Sequence, residues 1–78
     1  MPARNAAEIR ALKRLGHIVA KRRIEANKTQ DDMADACGIS TRYWGALERG
    51  AGNPSFLTLR AIAAALSIDV EDLLKEAR

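Results

Sequence analysis

The chain has 78 residues and a formal net charge of +3, and that length excludes an enzyme with separate cofactor and substrate lobes. Of its apolar residues 15 are alanine, leaving 22 larger ones to build a core; a core this small supplies only about 3–5 kcal/mol, so close helix packing or a partner subunit should matter. One cysteine, Cys37, and one histidine, His17, exclude an internal disulfide and most zinc sites, so no metal or other cofactor is expected and the compartment reads as a reducing cytoplasm.

Apolar residues recur at three and four, not two, and valine and aromatics are few, so the chain reads as all-α. Asn5 with Glu8 forms a capping-box pattern. The first helix then runs over 6–26, with Ile9, Leu12, Leu15, Gly16, Val19, Ala20 and Arg23 on one arc and Arg10, Arg14, His17 and Lys21 on the other. Thr29 with Asp32 caps a short second helix, 30–37, and Gly38 sits where a left-handed residue ends it. Ser40 caps a third helix over 41–49, stopped by Gly50. After the loop 51–54, Ser55 caps a fourth helix in which Phe56, Leu59, Ile62 and Leu66 repeat at helical spacing. Asp69 caps a fifth, carrying Val70, Leu73, Leu74 and Ala77.

Charge is unevenly placed. Residues 1–28 carry eight basic and two acidic groups, and residues 61–78 two basic and four acidic. A basic end and an acidic end on one small domain suggest one face for a polyanion, although a solvated basic helix face explains part of the excess. Met1-Pro2-Ala3-Arg4-Asn5 opens without an apolar leader, and no run reaches the ~18–20 apolar residues of a membrane span, so no membrane partner is expected.

The stretch Gln30 to Arg49 carries the functional signal. Two short helices meet at the Gly38 turn, Ala34 is small enough for the next helix to cross closely, and Met33, Cys37, Ile39, Trp44 and Leu47 are apolar at the crossing. This is the physics of a helix-turn-helix, which presents its second helix to the DNA major groove. Together with Leu15-Gly16, Thr29-Gln30, Leu47-Glu48, Asn53-Pro54-Ser55 and Asp72-Leu73, the pattern resembles the Cro/phage-repressor-type helix-turn-helix family (the Xre group). The resemblance implies a five-helix lambda-repressor-like DNA-binding domain, here 15–78, with 1–14 extending the first helix.

It also implies residue roles. Thr41 and Arg42 match the family's base readers, and Ala46 lies along the groove-facing side; an arginine reads guanine through two donors, with a phosphate clamp or solvated charge as the rival role for Arg42. Gln30, Tyr43, Arg23, Lys28, Asn53 and Ser55 match phosphate-contacting positions, and Arg22 lies beside them. Arg23 and Glu48 match a pair bridging the first and third helices. Trp44 and Cys37 read as core. Gly45 is explained by close approach to DNA or by crowding against Trp44. Ser67 stands where the family often has glycine, a departure that costs about 1 kcal/mol if the backbone there is left-handed. Val70, Leu73 and Leu74 exceed what one small core can bury, so they are expected to form a homodimer seam.

The function expected is a sequence-specific transcriptional regulator: a dimer on a palindromic double-stranded operator. A restriction–modification controller and a phage-type repressor are the leading forms, and no small-molecule effector is expected in a chain this short. A helical protein-interaction module or antitoxin is the alternative. No paired acid and base, metal cluster or phosphate-cradling glycine loop supports an enzyme.

Overall fold

The computed structural model describes residues 4–78, which form five helices with no strand among them: α1 (Ala6–Glu25), α2 (Gln30–Cys37), α3 (Thr41–Glu48), α4 (Phe56–Ala65) and α5 (Val70–Glu76). Local chemistry sets the boundaries. Asn5 and Glu8 exchange side-chain and backbone hydrogen bonds, both 2.9 Å, and Thr29 and Asp32 do the same at 3.0 and 2.8 Å, satisfying amides that a helix start leaves free. Ser40 and Ser55 accept from the backbone N–H three residues on. Asp69 departs from this pattern: it is the residue before α5, yet its side chain makes no capping bond.

Four helix ends use left-handed backbone. Asn27 (φ 57) follows α1, Gly38 (φ 66) closes α2, Gly50 (φ 77) follows α3 and Ser67 (φ 57) follows α4. α1 ends at Glu25, one residue before the expected Ala26, and Asn27 turns the chain, because asparagine tolerates this conformation at small cost. Ser67 adopts it without the glycine that would make it easy, so the fifth helix keeps its place.

The core is Leu15 and Val19 from α1, Met33 and Ala34 from α2, Trp44 and Leu47 from α3, Ile62 and Ala63 from α4, and Leu73 from α5. α2 packs on α3 and α4, while α1 packs on α3 and α5. Gly16 permits the α1–α3 approach, since a Cβ there would lie 2.5 Å from the Leu47 carbonyl oxygen and 2.6 Å from that of Glu48. Two apolar positions of the sequence pattern stay outside. Ile9 is 43% and Phe56 61% exposed, because each lies in the first turns of its helix, beyond the neighbours that cover the remainder. Among the described residues no helix is long and apolar enough to cross a membrane.

Candidate nucleic-acid interface

Helix α3 is held from behind by one carboxylate. Arg23 forks onto Glu48, with Nε donating to Oε2 at 2.6 Å and Nη2 to Oε1 at 3.2 Å, and its Nη1 donates to the Lys28 carbonyl at 2.9 Å. Gln30 Nε2 donates to Glu48 Oε1 at 2.8 Å, and the Trp44 indole N–H to Oε2 at 2.7 Å. The Arg23 and Glu48 side chains are only 15% and 8% exposed, where charge-assisted bonds are strong. The bond to Glu48 raises the Arg23 pKa against the opposing effect of burial. Burial pushes the Glu48 carboxyl up, but the bonds from Arg23, Gln30 and Trp44 prevail and hold it below the ordinary glutamate value. One residue thus ties α1 and the start of α2 to α3, and fixes the indole of the core tryptophan on α3 itself.

The opposite side of α3 faces solvent. Thr41 and Arg42 are exposed at its first turn. The Thr41 hydroxyl donates to Asp31 across the turn, whereas the Arg42 side chain has no ion-pair or hydrogen-bond partner among the described residues. Tyr43 and Ala46 are half-buried, and Tyr43 packs against the core. Gly45 is covered although it has no side chain; a Cβ built there would lie 3.2 Å from Nη1 of Arg49. Arg49 was not among the residues singled out from sequence. The signal was present, because seven residues advance a helix to within about 20° of the same face, so Arg42 and Arg49 share a stripe.

The remaining positions are spread around this face. Lys28 and Asn53 are exposed, and Asn53 borders a shallow recess with Arg4, Glu8, Ala11 and Leu12. The Ser55 hydroxyl is engaged in its cap and lies 3.0 Å from the Thr58 hydroxyl. Gln30 turns its amide nitrogen inward to Glu48, so what the start of α2 leaves for a phosphate is its first-turn backbone N–H groups, beside the exposed Asp31 and Asp32. Arg22, a further phosphate candidate, pairs with Glu76 instead, at 2.6 Å.

One expected seam residue is corrected. Leu73 is fully buried within the monomer and has no surface to offer a partner, because α5 turns that side chain toward the core. Val70 is half-buried and Leu74 is 41% exposed.

Five helices with a short pair crossed at a glycine turn, and an exposed basic first turn on the second of that pair, define a helix-turn-helix domain of the lambda-repressor-like fold. The family model described as helix-turn-helix matches residues 19–73, and the chain belongs to that family, in its Cro/phage-repressor (Xre) group. It is 36% identical over 62 residues to an uncharacterized HTH-type transcriptional regulator, y4dJ, of Sinorhizobium fredii, covering 80% of each chain. It is 42% identical over 55 residues to the cryptic phage CTXphi transcriptional repressor RstR of Vibrio cholerae, covering 70% of this chain and 49% of that protein. Among solved structures it resembles the clp gene regulator ClgR of Corynebacterium glutamicum (TM-score 0.82, 31% identity, 86% of this chain and 71% of that one). It also resembles the restriction–modification controller protein C.AhdI of Aeromonas hydrophila (TM-score 0.77, 29% identity, 80% and 94%).

Proposed function

We propose that this protein is a cytoplasmic, sequence-specific DNA-binding transcriptional regulator. It acts as a homodimer on a palindromic operator, in the manner of a phage-type repressor or a restriction–modification controller. The observation that carries the reading is the solvent-facing first turn of α3. Arg42 projects there without an acidic partner among the described residues, on a helix locked from behind by Glu48. A rigid helix with a free guanidinium is what base recognition in a major groove requires. Thr41 flanks it, Ala46 offers apolar contact further along, and Lys28, Asn53, Tyr43 and Ser55 lie on segments around α3 suited to the backbone. Arg23 and Gln30 serve first to hold α3 through Glu48; their contact with phosphate is secondary, since their nitrogens already have partners within the chain. Val70 and Leu74, on the acidic α5, supply apolar surface for two-fold pairing, which would set the two α3 helices about 34 Å apart.

Selection of binding sites from random duplex DNA tests this reading. It should return an inverted repeat, with affinity falling steeply as salt rises. Arg42→Ala should cost about 1–3 kcal/mol on the selected site and relax one base position per half-site, with little loss on random DNA. A wild-type chain that enriches no sequence, or binds DNA with no salt dependence, overturns the assignment.

A further inference from the structure

The geometry points to Arg49 as a second base-reading residue, occupying the reading position that Gly45 leaves without a side chain. This inference rests on the DNA-binding reading above. Arg49 is the residue that ends α3, where a basic side chain ordinarily serves the helix dipole or bonds the last carbonyls. Here the guanidinium does neither at hydrogen-bond distance. It makes no hydrogen bond or ion pair among the described residues, and it runs back along the helix until Nη1 lies 3.2 Å from where a Gly45 Cβ would be. Long side chains on a helix lean toward its N-terminus in this way, and the missing side chain at position 45 leaves the space.

The consequence is a displaced charge. The Arg49 backbone sits roughly 10 Å along α3 from Arg42, but its charged end is brought back about one turn, toward the first-turn residues that meet the groove. Arg42 and Arg49 then present two forked cations on one stripe, with only the small Gly45 and Ala46 between their positions on that face. A planar fork on an uncrowded helix face suits bidentate bonding to guanine O6 and N7, which a point-charge ammonium cannot reproduce. The glycine is thereby explained by the arginine it accommodates. The ligand class is a guanine in each half-site, at a base step distinct from the one read by Arg42.

The test is site selection from random duplex DNA with wild-type protein, Arg49→Ala and Arg49→Lys, each confirmed folded by circular dichroism. The Arg49 side chain has no hydrogen-bond or ion-pair partner among the described residues, so both variants should fold. Arg49→Ala should lose one guanine preference per half-site while keeping the preference owed to Arg42, and should bind the wild-type operator roughly 5- to 100-fold more weakly with random-DNA affinity little changed. Arg49→Lys should not restore the lost guanine. Equal weakening on operator and random DNA, rescued by lysine, makes Arg49 a phosphate clamp and overturns the inference; so does an unchanged selected site. If wild-type protein itself selects no sequence, the DNA-binding reading has failed, and that result is distinct from either.

Discussion

Glu48 does more than any other residue to fix the interface, and it does so from the far side of the helix. Three side chains donate four hydrogen bonds to its carboxylate, so replacing it leaves the part-buried Arg23 without its counter-charge. Glu48→Gln should destabilise the fold by about 2–3 kcal/mol at neutral pH. The pH sign follows from its lowered folded pKa: the stabilisation is fully present above the ordinary value of 4.5 and is lost as pH falls through the folded value. Urea melts at pH 7 and pH 3.5 should show the wild-type chain losing stability across that window and Glu48→Gln losing less. Asp32 adds an acid-sensitive contribution of the same sign, because its carboxylate accepts from the Thr29 backbone, so the dependence is reduced and not abolished. Ser67 lies at the other extreme. Its left-handed backbone is tolerated, and Ser67→Gly should raise stability by about 1 kcal/mol, read as a higher denaturation midpoint. Both residues were visible in the sequence, Glu48 as half of a pair and Ser67 as a departure from a glycine position. Gln30 joining Glu48 was not, because that contact depends on how α2 packs on α3; Trp44 joining it was within reach of the i,i+4 spacing on α3 but was read only as core.

At the scale of elements, two glycines do different work. Gly38 has left-handed backbone and open space around it, whereas Gly16 has ordinary helical backbone and two carbonyl oxygens of α3 in the place of a side chain. Gly38→Ala should therefore cost about 1 kcal/mol in strain. Gly16→Ala should cost about 3 kcal/mol, because carbonyls cannot rotate away and α1 must separate from α3. Chemical denaturation of the two variants gives the ordering, and equal losses would contradict it. The capped starts of α1 to α4 were legible because capping acts over three residues. The first turn of α4 was misread because periodicity reports which face is apolar and not how far neighbouring helices extend to cover it. Phe56 is 61% exposed for that reason.

For the whole molecule the open matter is what covers the apolar surface of the last helix. α5 is anchored to α1 by the Arg22–Glu76 ion pair and to the core by Leu73, which leaves Leu74 outward. In a two-fold dimer the same patch meets itself, so one charged substitution acts twice. Leu74→Asp should shift sedimentation at micromolar concentration from dimer to monomer with the helical signal retained. Leu73→Asp should unfold the chain outright. A Leu74→Asp chain that still sediments as a dimer places the seam elsewhere. The sequence indicated excess apolar surface on α5 but could not assign it between core and partner, since 73 and 74 are neighbours whose opposite fates depend on the rotation of one helix.

Trp44 has a consequence of another kind. It is the only tryptophan, it has no exposed surface, and its indole N–H is bound to Glu48. Its fluorescence is therefore an internal gauge of the joint behind α3. Emission should be blue-shifted and insensitive to acrylamide in the folded chain, and should move to the red with access of quencher on unfolding. Because α3 carries the chromophore on its inner face and the exposed Arg42 and Arg49 on its outer one, the emission reports, without an attached label, whether the joint behind α3 stays closed when DNA is added.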